Sequence, residues 1–226
     1  MLDKLVQQTI YISLFVQVVT TLISLDGFSL QLRPSDKILQ EILWIETIVQ
    51  LVEGIFYVWI ISSLKNLDKM TPRRYIDWNI TTPIMLLSTI IYFKYNELNQ
   101  HGGRPFTALE FYEDNKENIQ KIFVYNFFML LFGFLGEAGY MDKRIAIPVG
   151  FIFFYLSFEL VYREYGSKTR ENKQLYLVLL VLWSMYGIAA VFPVKPKNIS
   201  YNTLDVFAKN FYGLFIYYKI RELSVS

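Results

Sequence analysis

The sequence predicts an all-α membrane protein, folded as a bundle of seven transmembrane helices. Of its 226 residues, 54% are hydrophobic and only 19% are charged, against about 25% charged residues in a typical soluble domain. Seven apolar stretches, each near the roughly 20 residues that cross a bilayer, occupy most of the chain. We therefore expect a single domain over residues 1–226.

Composition also excludes several classes of protein. The chain has 22 Lys and Arg against 20 Asp and Glu, a net charge of +2 that favours no nucleic-acid partner. It has no Cys and one His, which excludes a disulfide framework, a Cys-based zinc site and a thiol nucleophile. We expect no metal site and no enzymatic activity.

The seven predicted helices are separated by turn-forming or charged linkers. The first helix is followed by Leu-Asp-Gly-Phe-Ser, and the seventh is preceded by Pro-Val-Lys-Pro-Lys-Asn. The longest linker, residues 95–118, contains His101 and an acidic run and is expected to be solvated. The predicted helices cover residues 5–25, 38–64, 72–93, 119–141, 145–165, 173–193 and 201–220.

The distribution of basic residues predicts the orientation. With seven spans, the two termini lie on opposite sides of the membrane. If the N-terminus is outside, twelve Lys and Arg fall in the inner loops and C-terminus, against nine outside. Because cytoplasmic loops are enriched in Lys and Arg, the sequence favours an external N-terminus and a cytoplasmic C-terminus.

Charged side chains inside predicted membrane helices are costly and often functional. Two have a structural explanation: Glu159 is spaced to pair with Arg163 one turn later, and Glu137 lies near a helix end, where it suits structural hydrogen bonding or a subunit contact. The complete set is Glu46, Glu53, Asp77, Glu137, Glu159, Asp205 and Lys209.

Lys209 lies about nine residues inside the seventh predicted helix, roughly 13 Å from its end. One explanation is a buried ion pair with Asp205, four residues earlier on the same face. The other is a Schiff base, because burial favours the neutral amine that attacks an aldehyde. Such a cation needs carboxylates, and Asp77 shares a face of the third helix with Arg74 and Thr81.

Aromatic residues accompany these charges. Trp78 follows Asp77, and Trp183 and Tyr186 are three residues apart on the sixth predicted helix. Each alone is typical of core packing. Together with a buried Lys, they also suit the walls of a slot for a long, flat polyene.

Four segments resemble those of microbial (type 1) rhodopsins. Residues 74–83 (Arg-Tyr-Ile-Asp-Trp-Asn-Ile-Thr-Thr-Pro) resemble the third-helix signature, and residues 204–209 (Leu-Asp-Val-Phe-Ala-Lys) the seventh-helix retinal-attachment motif. Residues 183–186 resemble the sixth-helix pocket, and residues 132–139 (Phe-Gly-Phe-Leu-Gly-Glu-Ala-Gly) the fourth helix of proteorhodopsins. The four occur in the same order as in that family.

The resemblance implies all-trans retinal bound covalently to Lys209 as a protonated Schiff base. It implies Asp77 as the primary proton acceptor, Asp205 as the second counterion, and Arg74 as the residue that closes the outer side. By the same match, the retinal pocket includes Trp78, Thr81, Thr82, Trp183 and Tyr186. It also implies an external N-terminus.

Two positions depart from the proton-pumping members. Eleven residues after Asp77, where pumps have a carboxylic acid that donates a proton from the cytoplasmic side, this chain has Ser88. A hydroxyl is a poor proton donor at neutral pH, so we expect slow reprotonation. In addition, the second-helix His of proteorhodopsins aligns with Trp59.

The second helix instead has a polar face formed by Glu46, Gln50 and Glu53. With Asn210 after the Lys, and with Ser13 and Gln17 on the first helix, these residues predict a hydrophilic path between helices one, two and seven. Channelrhodopsins have their pore there, and the Asp-Thr-Ser triplet with these acids resembles group 1 viral rhodopsins of large algal viruses. The alternative is that both Glu residues are protonated or hydrogen-bonded structural groups.

The sequence thus predicts a light-gated cation channel in a host or viral membrane. Two alternatives stay open. One is a light-driven outward proton pump with Glu53 or Glu46 as the donor, and the other is a photosensory rhodopsin that signals through a separate transducer. The expected partners are the lipid bilayer and cations or protons, and the sequence leaves homo-oligomerisation open.

Overall fold

The computed structural model describes residues 2–62, 67 and 70–224. In this part of the chain, every regular element is helical. The helices are α1 (Leu2–Gly27), α2 (Ile38–Ile61), α3 (Met70–His101), the short α4 (Ala108–Asp114), α5 (Lys116–Glu137), α6 (Lys143–Val161), α7 (Arg170–Ala189), α8 (Val194–Asp205) and α9 (Phe211–Leu223).

Two five-residue segments of the chain are π-helical. One, Tyr162–Gly166, extends α6, and the other, Val206–Asn210, joins α8 to α9. The second segment contains Lys209, so α8, the π segment and α9 form a single seventh span. Insertions of this kind are rare and occur mainly at functional sites.

The seven spans form a bundle with an apolar outer surface. Large hydrophobic side chains such as Phe15, Ile55, Tyr155 and Val181 are exposed along it, as expected where lipid replaces water. Among the described residues, four helical segments are long and apolar enough by composition alone to cross a membrane: Asp3–Gly27, Pro34–Ile61, Lys116–Glu137 and Lys143–Gly166. Of the other three spans, α3 and the seventh place charged residues such as Asp77 and Lys209 inside the bundle.

The predicted boundaries are mostly accurate, with two clear errors, at the end of the third span and at the start of the seventh. The seventh span begins at Val194 rather than at 201, because the predicted linker at 193–198 is itself helical. Pro193 precedes the helix and Pro196 lies in its first turn, where backbone N–H groups have no partner within the helix and their loss costs little. The end of the second predicted helix, residues 63–64, lies outside the described residues.

The linker predicted at residues 95–118 is mostly exposed, as expected, but much of it is helical. α3 continues to His101, and α4 begins with a capping box between Thr107 and Glu110. The backbone N–H of Thr107 donates to the Glu110 carboxylate and holds the pKa of this group below its ordinary value. Phe111 of α4 is buried in the main core, so the linker packs onto the bundle.

An ion cluster joins helix ends at the face of the bundle that carries the N-terminus. α5 ends at Glu137, and Gly139 adopts a positive φ of 80° that permits the tight turn into α6. The Glu137 carboxylate accepts hydrogen bonds from Lys143 at 2.9 Å and Lys197 at 2.8 Å. Since Lys197 belongs to α8, Glu137 ties the start of the seventh span to α5 and α6.

The predicted ion pair between Glu159 and Arg163 is confirmed, with Arg163 Nη1 3.1 Å from Glu159 Oε1. Unlike the pair of Glu137 and Lys197, it lies on the surface. The two pairs differ in burial. The Lys197 side chain is 1% exposed and that of Glu137 8%, whereas Arg163 and Glu159 are 59% and 36% exposed. Buried pairs depend strongly on both partners, while exposed pairs contribute little.

We therefore predict that Glu137→Gln lowers the free energy of unfolding by about 3 kcal/mol, because it leaves the Lys197 ammonium buried without a carboxylate. Glu159→Gln, the matched exposed variant, should change it by less than about 1 kcal/mol. Unfolding in mixed detergent micelles measures both. Equal losses in the two variants would contradict this role of Glu137.

Candidate functional site

The centre of the bundle holds a buried lysine surrounded by three carboxyl groups. Lys209 Nζ donates a hydrogen bond to Asp77 Oδ2 at 2.7 Å. It lies 3.3 Å from Glu53 Oε1 and 3.7 Å from Asp205 Oδ1. The four side chains are at most 2% exposed, and they come from α2, α3, the last residue of α8 and the π segment. The structure thus brings Asp77, Asp205 and Glu53 to one atom of Lys209.

Asp205 is held by more donors than the other two carboxyl groups. Tyr57 donates to its Oδ2 at 2.7 Å and Tyr186 to its Oδ1 at 2.8 Å. Arg74 Nη1 lies 3.1 Å from Oδ2. Three donors, one of them cationic, therefore fix the position of this carboxyl group. Sequence reasoning missed Tyr57, although its position four residues after Glu53, on the same face of α2, was a usable signal.

Arg74 fills the space between this cluster and the face carrying the N-terminus. Its guanidinium donates to the side-chain oxygens of Asn198, at 3.3 Å, and Asn202. Both asparagines lie one turn apart on α8, within the segment that was expected to be partly linker. The side chain is 1% exposed, so Arg74 closes this end of the centre in the described state.

A mostly apolar cavity adjoins Lys209. Four of the predicted pocket residues line it, and Thr81 does not. Several glycines also line it. At Gly187 an added Cβ would clash with the ring of Phe151, so a larger residue does not fit there. The lining residues are Tyr75, Trp78, Thr82, Met85, Met129, Leu130, Gly133, Ala146, Ile147, Gly150, Phe151, Phe154, Trp183, Tyr186, Gly187, Ala190, Tyr201, Ala208 and Lys209.

The cavity suits a long conjugated aldehyde. Trp78 makes edge-to-face contacts with Tyr186 and Tyr201 at centroid distances of 5.5 Å and 4.9 Å, which gives the slot aromatic walls. The amine of Lys209 is the one nucleophile among the lining side chains that forms a Schiff base with an aldehyde. The residues present therefore fit retinal.

Two sequence predictions place residues incorrectly. Thr81 is fully buried and donates to the backbone carbonyl of Asp77 at 3.0 Å, and it is not among the residues that line the cavity. Trp59 does not lie beside Asp77. It is 40% exposed, and its ring lies 4.7 Å from the guanidinium carbon of Arg73. Because Trp59 is two residues from Tyr57, a helix turns it about 200° away from the face that carries Tyr57.

The residues of the predicted ion path share one buried interface between α1, α2 and the seventh span. Hydrogen bonds cross it at three levels. Ser13 donates to the carbonyl of Asn202 at 2.7 Å, Thr20 to the side chain of Asn210 at 2.7 Å, and Thr21 to Gln50 at 3.2 Å. We call this interface the polar seam; its members are Ser13, Gln17, Thr20, Thr21, Ser24, Glu46, Gln50, Glu53, Asn202 and Asn210.

Ser88 lies on the other side of Lys209, toward the face that carries the C-terminus. Its hydroxyl donates to the Glu46 carboxyl group. Both side chains are fully buried. The position expected to lack a proton donor is therefore in direct contact with an acid from α2.

The fold and this centre define a retinal-binding membrane protein, and comparisons with known proteins agree. A family profile described as bacteriorhodopsin-like protein matches residues 8–223, and the chain belongs to this family of microbial rhodopsins. Family members bind retinal as a Schiff base on a lysine, and retinal is the cofactor of this chain.

Individual relatives are more distant. The structure of viral rhodopsin OLPVRII is similar with a TM-score of 0.84 and 28% identity, over 98% of this chain and 100% of that one. Blue light-absorbing proteorhodopsin from Med12 has a similar fold, with a TM-score of 0.74 and 18% identity over 96% and 97% of the two chains. Green-light absorbing proteorhodopsin from Gamma-proteobacterium EBAC31A08 is 25% identical over 76% of this chain and 71% of its own length.

We predict that Lys209→Ala abolishes the visible absorption band that forms when all-trans retinal is added to the wild type. Lys209→Arg should abolish it too, because it keeps the positive charge but cannot form the Schiff base. Borohydride reduction, which fixes a C=N bond for mass analysis, should find no adduct in either variant. Lys197→Arg, which changes a second buried lysine outside the cavity, should keep the band. A coloured adduct in Lys209→Ala would contradict the assignment.

Proposed function

We propose that Lys209 carries the retinal, with Asp77 as the proton acceptor and Asp205 and Glu53 as further counterions. The support is the set of distances around Lys209 Nζ. At 2.7 Å, Asp77 Oδ2 is in position to take a proton from this nitrogen. Retinal attached there supplies the absorption of visible light and the change of shape that follows it.

We further propose that the protein is a light-gated cation channel whose path is the polar seam. The observation that carries this proposal is a row of buried polar atoms without hydrogen-bond partners among the described residues. They are Gln17 Oε1 and Nε2, Ser24 Oγ, Glu46 Oε2, Gln50 Nε2, both Glu53 carboxyl oxygens and Asn210 Nδ2.

Such atoms are expensive inside a membrane unless water or an ion satisfies them. On α1, Gln17 and Ser24 lie two turns apart on one face, and on α2, Glu46, Gln50 and Glu53 form a matching row. Because α1 and α2 are antiparallel, these residues form one continuous stripe about 10 Å long. A stripe of this kind favours a chain of water molecules between the helices.

The charge of the stripe favours cations. Both ionisable members are acids, and carboxyl groups on a pore wall attract cations and repel anions. Glu53 also lies 3.3 Å from Lys209, so any displacement of Lys209 changes the charge balance at the middle of the path. This contact couples the path to light.

A proton pump is the second candidate, favoured by the contact between Ser88 and Glu46. An acid that touches the usual donor position can supply the missing proton. In the orientation favoured by the basic residues, with the N-terminus outside, Glu46 is on the cytoplasmic side of Lys209 and Asp77 on the outer side. That order suits outward transport.

Current–voltage recording under illumination separates the two functions. A channel gives a photocurrent that reverses, at a voltage that follows the imposed cation gradient. Glu53→Gln should reduce the current or change its selectivity, because it removes an acid from the stripe. A pump gives a one-directional outward current at zero driving force.

Glu159→Gln is the control, since Glu159 is an acid on the outer surface of the bundle and should leave the reversal voltage unchanged. An outward wild-type current that never reverses would overturn the channel and favour the pump.

A further inference from the structure

Tyr212 is a buried tyrosine that neither the retinal site nor the polar seam uses. It lies in the first turn of α9, three residues after Lys209, and is 5% exposed. Its hydroxyl has no hydrogen-bond partner among the described residues. It nevertheless lies beside the side chains of Thr89 and Ser88 on α3. An unsatisfied buried hydroxyl is costly, which indicates that something outside the described side chains occupies its hydrogen-bonding site.

A small cavity of about 10 Å³ borders Tyr212. Its lining is mostly apolar, with Tyr212 and Thr89 among its few polar members; the others are Met85, Leu86, Phe93, Phe158, Val161, Tyr176, Leu179, Trp183 and Ala208. This volume is at the lower limit for one water molecule. Met85, Trp183 and Ala208 line the retinal cavity as well, so the small cavity adjoins the site of Lys209 on the side toward α9.

The acid Glu46 lies near Tyr212, with Ser88 between them. Ser88 donates to the Glu46 carboxyl group, and Glu46 takes part in no ion pair among the described residues. A carboxyl group at this depth without a cation is stable as the neutral acid. Glu46 therefore has a proton to give, and Ser88 and Tyr212 lie between it and the small cavity.

We propose that Tyr212, with Thr89, holds a water molecule in this cavity and forms the last part of a proton relay from Glu46 to Lys209 Nζ. The Ser88 hydroxyl, which donates to Glu46 at rest, turns to pass its proton to Tyr212 Oη and takes the Glu46 proton in exchange. The tyrosine passes one proton to the water, and the water passes one to Lys209 Nζ. Each intermediate oxygen gains and loses one proton, so only Glu46 ends with a negative charge. Tyr212 thus carries the proton between Ser88 and the water.

The inference rests on the proposed attachment of retinal to Lys209 and holds for a channel or a pump. Tyr212→Phe keeps the ring and removes the hydroxyl. We expect it to slow the return of the visible band after a flash by roughly a hundredfold, the lower end of the range for loss of a proton-transfer group. Added azide, a small weak acid that carries protons, should restore the rate. Thr89→Val should act in the same direction and provides a second variant.

Tyr92→Phe is the matched control. Tyr92 is equally buried and packs on the same ring, Phe215, as Tyr212 does, but it does not line the small cavity. Its variant should recover at the wild-type rate. A crystal structure that resolves water supplies an independent readout. It should show a water bonded to Tyr212 and Thr89 in the wild type, including protein prepared without retinal, and none in Tyr212→Phe.

Recovery of Tyr212→Phe at the wild-type rate would overturn the relay. A slowed recovery that azide leaves unchanged, an equal slowing in Tyr92→Phe, or a dry cavity in the wild type would also overturn it. These outcomes are distinct from failure of the channel. A wild type without photocurrent but with azide-sensitive recovery in Tyr212→Phe overturns the channel and supports the relay.

Discussion

The ion cluster around Lys209 is the interaction on which the rest of the structure depends. Lys209 and Arg74 bring two positive charges into the bundle, and Asp77, Asp205 and Glu53 bring three carboxyl groups. Burying any one of them alone would be strongly unfavourable. The cluster is neutral when one carboxyl group keeps its proton. Asp205 accepts hydrogen bonds from three donors, whereas neither oxygen of Glu53 has a hydrogen-bond partner in the described part of the chain.

This charge arrangement links the seam to the retinal site. Glu53 belongs to both, so a change of charge at Lys209 reaches the seam without an intermediate. In this structure the seam is closed, because nearly all of its members are buried and hydrogen bonds from Ser13, Thr20 and Thr21 cross it. Beyond it, on the side of the C-terminus, Leu43 and Tyr217 pack against Gly27, where an added Cβ would lie 2.6 Å from Leu43. Opening the path therefore requires movement of α1, α2 or the seventh span, and the π segment at Lys209 is a place where a helix rearranges readily.

Much of this was accessible from the sequence, and the reasons are physical. The lengths of the apolar stretches predicted the seven spans, because a helix needs about 20 apolar residues to cross a bilayer. The spacing of Glu46, Gln50 and Glu53 predicted a shared face, because residues three and four apart are neighbours on a helix surface. What the sequence does not contain is the pairing between helices. The contact of Ser88 with Glu46, the bonds of Asn198 and Asn202 to Arg74, and the place of Tyr212 all depend on helix rotation and packing. Trp59 was expected beside Asp77, but it lies on the exposed face of α2, while Tyr57, two residues earlier, faces the centre.

The measurement that tests the account most directly is the visible absorption spectrum as a function of pH, in the wild type and in Asp77→Asn. A negative charge at 2.7 Å from Lys209 Nζ stabilises positive charge at the nitrogen end of the chromophore. Loss of that charge lets the positive charge spread along the polyene, so Asp77→Asn should shift the band to the red. Acid should shift the wild-type band in the same direction as Asp77 takes up a proton, and this acid shift should be absent from the variant. A wild-type band that ignores both acid and Asp77→Asn would contradict the assignment of Asp77 and Lys209 as the charged centre.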